Sequence, residues 1–358
     1  MGSWSSALCT VFLAARLAAA ACATPDAPPA PRPLRFVTFN VHHGGLGSEI
    51  LGDDSDLEDR LAMAAGELER LDADVIGLQE ASRGWRRGDV ARRLAEALGD
   101  EHAFVGATRR LFGGGLLGFL SSAFLGFDEG PAVVSRYPIT ATKHWLIDRC
   151  DRFYRRVLLC ADICTPWGAL RACSTHLSGS ECQAASVHAR LREDATDMPV
   201  VLMGDLNATE DSPALGLLRT RGGFLDTFRV ANPGVAGYTD DQAMRVEQAT
   251  AFERVDYVLV ARGGGSTDRV RSSRVVLDRP VRDADGDVLW LSDHYAVLSE
   301  VDVFTPTQDF VLGRGVGRED AASGGSRDRG AAAGKAGAAM RGRARGRARD
   351  YRGGFIGG

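Results

Sequence analysis

The chain has 358 residues, 44% hydrophobic and 25% charged, values of a globular protein long enough for one large domain or two ordinary ones. Its net charge of −4 divides unevenly: from Thr305 onward eleven Lys/Arg stand against five Asp/Glu, which is +6 and leaves −10 for the rest. Such an acidic body is a poor general binder of polyanions and a reasonable place for a cation site made of carboxylates.

In chain order, residues 1–23 read as a signal peptide. Leu8 to Ala21 is apolar apart from Thr10 and Arg16, and too short to span a bilayer comfortably. Ala21-Cys22-Ala23 fits a small-x-small cleavage site and predicts a mature chain starting at Thr24. Ala-Ala-Ala-Cys ending at Cys22 also fits a lipoprotein box, and Gly2 with Ser6 fits the myristoylation pattern. Arg16, and the lack of Lys or Arg before the apolar run, argue instead for a disordered Ala-rich leader. The expected location is secreted or envelope-associated, otherwise cytoplasmic. Residues 24–33 form a stiff Pro-rich linker, and the folded domain is expected over 34–304.

Strand-like runs then recur: RFVTFN, DVIGLQE, PAVVS, RVLLCADIC, ALRACSTHL, PVVLMGDLN, RVDYVLV, SSRVVLD and HYAVLSEVDVF. Helical spacing appears in LEDRLAMAAGELERL, DVARRLAEALG and ASVHARLRED. Strands with interspersed helices predict an α/β class with layered sheets. Asp53, Asp54 and Asp56 precede the first helix, where capping and solvation explain them better than a metal site. Leu111 to Phe127 (LFGGGLLGFLSSAFLGF) is apolar and Gly-rich without clear period; it is read either as a rim loop touching lipid or as a loop folded over the domain's own core.

Of seven cysteines, five lie between Cys150 and Cys182. If LLCADIC and LRACSTHL form a hairpin around Thr-Pro-Trp-Gly, Cys160 faces Cys173, as a disulfide in an oxidising compartment or as two buried thiols. No cysteine spacing suggests zinc. Residues 305–358 are rich in Gly, Ala and Arg and read as a disordered basic tail.

The apolar runs share one property. They stop at carboxylates, amides or imidazoles: Asn40 with His42 and His43 after it, Glu80, His176, then Asp205 and Asn207. Asp256 lies in RVDYVLV, and Asp293-His294 precedes the last long run. If these ends meet, they line a crevice with oxygen ligands and imidazoles. That inventory suits phosphoester hydrolysis. Carboxylates bind Mg²⁺ or Mn²⁺, a carboxylate can deprotonate water, and imidazole and amide groups can hold phosphoryl oxygens.

The ordered blocks TFN, LQE, STHL, GDLN, DY and SDH resemble the endonuclease/exonuclease/phosphatase superfamily, the fold of pancreatic-type deoxyribonucleases, apurinic endonucleases, neutral sphingomyelinases and inositol-polyphosphate 5-phosphatases. The likeness covers about Leu34 to Phe304 and is nearest to bacterial members with an Asn-Val/Ile-His-His-Gly opening. It implies a four-layer sandwich of two packed mixed β-sheets with flanking helices, and Mg²⁺ (or Mn²⁺) as cofactor. It further implies metal-side roles for Asn40, Glu80 and Asp293. His176 is implied as a catalytic imidazole, Asp205 as the water-activating carboxylate and Asn207 as a phosphate-orienting amide. His294 would stabilise the pentavalent phosphate, with Asp256 keeping it protonated. His176 stands where apurinic endonucleases have Tyr. The expected substrate is a small or membrane-presented phosphodiester, with contact to a membrane surface through residues 111–127 and a monomeric state. The alternatives are a metal-dependent nuclease, favoured by the Arg-rich tail, and a non-catalytic binding protein on the same fold.

Overall fold

A computed structural model describes residue 22 and residues 29–42, 56–85, 88–106, 127–150, 156–261, 269–283 and 285–304. The rest of the leader, residues 24–28, His43, Asp53, Asp54, positions 111–126 of the apolar segment and the tail from 305 lie outside the described residues.

The elements run β1 (Leu34–Asn40), α1 (Leu57–Arg70), β2 (Val75–Gly84), β3 (Gly88–Asp89), α2 (Val90–Leu98), β4 (Glu101–Phe104), β5 (Phe127–Ser135), β6 (Ile139–Leu146), β7 (Val157–Thr165) and β8 (Gly168–His176). They continue with α3 (Glu181–Glu193), β9 (Val200–Asp205), α4 (Pro213–Thr220), β10 (Phe224–Asp226), α5 (Thr227–Ala231), β11 (Asp256–Ala261), β12 (Val270–Val276), β13 (Val281–Arg282), β14 (Val288–Leu289) and β15 (Ala296–Val301). One sheet has the order β12-β15-β1-β2-β5-β4, with β3 added to β2; the other has β10-β11-β9-β8-β7-β6. Both are mixed, since β1–β2 and β8–β9 are parallel and their other pairings antiparallel. The expected two mixed sheets with flanking helices are what the chain forms.

Continuous apolar runs are strands buried on both faces. Along β1, Leu34 and Phe36 face the layer between the sheets, while Val37 and Phe39 face the helices α1 and α2. Along β9, Val201 and Met203 face inward, and Val200 and Leu202 pack under α3 and α4. Three apolar layers result, with helices outside and two sheets within.

Helix ends follow local chemistry. The Asp89 carboxylate caps α2 by accepting from the Arg92 amide at 3.0 Å, and Gly99 closes it at φ 72°. Ser212 caps α4, with Pro213 in its first turn. Asp56 differs from expectation. It occupies the N-cap of α1 but makes no side-chain cap bond; its carboxylate pairs with Arg245 at 2.5 Å instead.

The end of the Pro-rich linker is attached to the domain. Arg32 makes a two-pronged ion pair with Asp74 (2.6 and 2.7 Å), and Trp167 donates its indole N–H to the Pro29 carbonyl at 2.8 Å. Asp74 is fully buried, so its charge requires a cationic partner. Cys160 and Cys173 face each other across β7–β8 and form a disulfide. Cys150–Cys182 and Cys22–Cys164 are further disulfides that spacing alone did not indicate. A chain starting at Thr24, or a lipid on Cys22, would leave Cys164 without this partner. No helix among the described residues is long and apolar enough to cross a membrane.

Candidate active site

The topology gathers the polar strand ends. Parallel pairing brings the C-terminal ends of β1 and β2 side by side, and likewise β8 and β9. Antiparallel pairing brings the starts of β15 and β11 to the same edge. Within the second sheet, His176, Asp205 and Asp256 occupy one register row, because His176 pairs with Asp205 and Asp205 with Asp256. The sheets are joined here by Gln79, which donates to Ser174 Oγ at 3.1 Å, and by Ser174, which donates to the Leu78 carbonyl at 2.8 Å.

Backbone strain sets the directions of several side chains. His42 (φ 46°), Glu80 (φ 53°) and Asn207 (φ 47°) adopt left-handed conformations that cost about 1–3 kcal/mol each. At Glu80 the β2–β5 register slips between Leu78 and Ala81, a bulge that re-aims the carboxylate. Gly204 is required beside Asp205: a Cβ there would lie 2.4 Å from the Thr175 carbonyl oxygen.

Asp205 is the hub. Its Oδ1 accepts from the Asn207 amide at 2.8 Å. Its Oδ2 accepts from Asn40 Nδ2 at 3.1 Å and lies 3.2 Å from His176 Nε2 and 3.8 Å from His294 Nε2. Burial pushes the Asp205 carboxyl up to about 7, with Asp256 adding to the rise and His294 opposing it. Asn207 Nδ2 donates to the Leu177 carbonyl (3.1 Å) and lies 3.0 Å from His176 Nε2.

His294 is enclosed by carboxylates. Its Nδ1 lies 2.9 Å from Asp256 Oδ2, and its Nε2 lies 3.1 Å from Asp240 Oδ1. Burial alone would lower its pKa; Asp256 and Asp205 outweigh that and hold it well above the ordinary imidazole value. With a carboxylate oxygen facing each ring nitrogen, the charged imidazolium is the favoured form. Burial raises the Asp240 carboxyl, against the pull of His294.

His42 serves both neighbours. Its backbone N–H donates to Asn40 Oδ1 (3.1 Å), and its Nδ1 lies 3.0 Å from Asp293 Oδ2. Burial raises Asp293, but the His42 bond together with the charges of His42 and His294 outweighs it and holds the carboxyl below the usual range. Ser292 Oγ donates to the Asn40 carbonyl at 2.6 Å. Arg60 of α1, buried, donates to the carbonyls of Val41 (3.0 Å), Leu291 (3.0 Å) and His42 (2.7 Å), which ties the two loops together.

Two acid–imidazole groups have the proximity a metal needs. Glu80, Glu129 and His176 each offer an atom within 4.8 Å of the others, as do Asp205, Asp256 and His294. The second group does not fit an ion, because an imidazolium held at both nitrogens has no free lone pair. The first group fits a hard cation, since it brings two carboxylates and an imidazole within reach of one another.

All eight residues singled out in the sequence (Asn40, Glu80, His176, Asp205, Asn207, Asp256, Asp293 and His294) thus fall at this edge. Glu129 and Asp240 were missed. Glu129 lies in β5 two residues before PAVVS, and the acid pair Asp128-Glu129 was its only signal. Asp240 lies in an aperiodic segment whose strand pairing is one isolated bridge to Glu253.

Comparison with known proteins gives the family and the fold. Residues 37–294 match the model of the Endonuclease/Exonuclease/phosphatase family. Among solved structures, a family protein from Bacteroides thetaiotaomicron aligns with TM-score 0.59 and 16% identity over 76% of this chain and 98% of its own. A mannosyl-6-phosphatase from the same organism gives 0.58 and 17% over 75% and 99%, and a family protein from Beutenbergia cavernae gives 0.54 and 23% over 76% and 72%. At these identities the likeness is one of fold. Among curated protein sequences the chain has no significant match.

Proposed function

Since the chain belongs to the Endonuclease/Exonuclease/phosphatase family, whose members hydrolyse phosphoesters, we propose that it is a Mg²⁺-dependent hydrolase that cleaves a phosphodiester by in-line attack of water. The observation that carries the reading is the buried Asp205 carboxylate with an imidazole on each side, His176 at 3.2 Å and His294 at 3.8 Å. A base and two phosphate-binding imidazoles then address one phosphorus.

Asp205 takes the proton of the attacking water, and Asn207 fixes its approach. Asn40 and His294 hold phosphoryl oxygens. The His294 imidazolium balances the charge that develops on the five-coordinate phosphorus. Asp256 keeps that ring charged and aimed. His176 donates to a phosphoryl oxygen or to the leaving group. Glu80 and Glu129, with Asn40 beside them, would hold the Mg²⁺; Asp293, ordered by His42 and Ser292, lines the same edge. When bound there, the cation supplies charge neutralisation at the phosphate and the leaving oxygen, and Mn²⁺ would serve the same purpose.

For substrate we favour a small or membrane-presented diester. The −10 body repels long polyanions, and the apolar 111–127 segment suits lipid better than nucleic acid. A nuclease is the second reading, supported by the Arg-rich tail. A non-catalytic binding protein is disfavoured, since each group the reaction needs stands at the site. The deciding experiment is a panel of plasmid DNA, RNA, sphingomyelin, phosphatidylinositol phosphates and a nitrophenyl diester, each with and without Mg²⁺. Turnover of a small or lipid diester only with the metal is expected. Preferential cleavage of plasmid DNA would overturn the substrate choice, and no turnover at all would overturn the enzyme.

A further inference from the structure

The His294 nitrogen that the reaction needs for phosphate already has a neighbour. Asp240 Oδ1 lies 3.1 Å from Nε2, nearer than Asp205 Oδ2 at 3.8 Å. A phosphoryl oxygen bound to Nε2 must therefore share this nitrogen with a fixed carboxylate or push it aside.

The carboxylate is held by the backbone around it. The Asp241 amide, in a left-handed conformation at φ 74°, donates to Asp240 Oδ1 at 2.7 Å. Thr239, fully buried, accepts from the Val255 and Asp256 amides through its hydroxyl and from the Tyr295 amide through its carbonyl at 2.7 Å. Asp240 bridges to Glu253, and the Gln242 amide donates to the Asp293 carbonyl at 2.9 Å. The segment is thus sewn to the Asp256 strand on one side and to the 293–295 turn on the other. Both of its attachments carry residues of the site.

We propose that Asp240 is a specificity-determining residue that makes the site prefer a phosphodiester, with one negative charge, over a phosphomonoester, with two. The inference rests on the phosphodiester reading above. A monoester loses its second proton at a pKa of about 6, so at pH 8 it brings an extra charge toward Asp240, whereas a diester does not. In a partly buried site that repulsion is screened little by salt. A residue that only supported the imidazolium would weaken both ligands alike.

The test uses the full-length protein with Mg²⁺ at pH 8. Calorimetry measures binding of inorganic phosphate and of dimethyl phosphate to the wild type, Asp240→Asn and Asp240→Glu. Turnover of p-nitrophenyl phosphate and bis-p-nitrophenyl phosphate is measured in parallel. Asn retains the acceptor for the Asp241 amide and removes the charge; Glu retains the charge. The expected result is a rise of about tenfold in the phosphate-to-dimethyl-phosphate affinity ratio for Asp240→Asn, and a near wild-type ratio for Asp240→Glu. The monoester-to-diester kcat/KM ratio should move the same way. An unchanged binding ratio, or equal shifts in both variants, would overturn the role of Asp240. Absence of turnover on both esters would overturn the hydrolase reading instead, while the calorimetric ratio still decides Asp240.

Discussion

Asp256 Oδ2 lies 2.9 Å from His294 Nδ1, and the carboxylate's other oxygen, buried, has no hydrogen-bond partner among the described residues. An acid with half its bonding capacity unused in the core is costly unless it serves the imidazolium. Asp256→Asn should therefore reduce kcat by about 10²–10⁴, with a smaller change in KM. It should also move the alkaline limb of the pH–rate profile to lower pH, since the strongest group raising the His294 pKa is gone. A kcat loss without that shift would make Asp256 a packing residue.

Asp205 carries the opposite burden. Its folded pKa of about 7 lies above an unfolded value of about 4, so the folded chain holds a proton there that the unfolded chain releases. Raising the pH through this window costs the folded state stability, and the full penalty applies above 7. Asp205→Asn removes the penalty and the base together. The variant should lose about 10²–10⁴ in kcat, yet be more stable than wild type at pH 8 by about 1–3 kcal/mol, with the gain vanishing near pH 4. Weaker support for His294 offsets part of the gain. Thermal unfolding at the two pH values checks this, and a variant less stable at pH 8 would reverse the argument.

The sequence made much of this edge legible, and the exceptions have physical causes. GDLN and SDH stand out because apolar strands buried on both faces leave no ordinary reason for a polar end. β6 went unread because most of ITATKHWL is exposed at a sheet edge and carries no apolar pattern. Glu80 was recognisable as a residue, but its direction depends on a bulge and a positive φ that no spacing records. Asp240 is brought to His294 by tertiary hydrogen bonds alone, from a segment without period.

The disulfides make a separate prediction. Cys150–Cys182 closes a 32-residue separation between the segment before β7 and the start of α3. Replacing both cysteines with Ala should cost about 3 kcal/mol. For a domain of this size that is a fall in Tm of about 6–12 °C. Digestion without reductant should yield the Cys150–Cys182 and Cys160–Cys173 peptides as linked pairs. Mapping which cysteine carries the free thiol, Cys9 being unpaired in an intact chain, also decides the fate of Cys22: a reactive Cys164 would mean that Cys22 is cleaved away or lipidated, and a blocked Cys164 that it is paired.

The metal site offers the sharpest choice between two ligand sets. The sequence pointed to Asn40, Glu80 and Asp293. The structure adds Glu129, whose carboxylate converges with Glu80 and His176, while Asp293 Oδ2 is engaged by His42 at 3.0 Å. Glu80→Gln should abolish Mg²⁺ binding within the range of a calorimetric titration. Glu129→Gln should weaken it by about 10–100-fold, the scale of losing a contributing ligand or its close support. Asp293→Asn leaves the converging pair intact and should weaken binding less than Glu129→Gln. Chelation should remove activity and Mg²⁺ should restore it, with Mn²⁺ as a second test of an oxygen-rich site. If Asp293→Asn proves the more damaging, the cation sits on the His42 side of Glu80, and Glu129 is not a ligand.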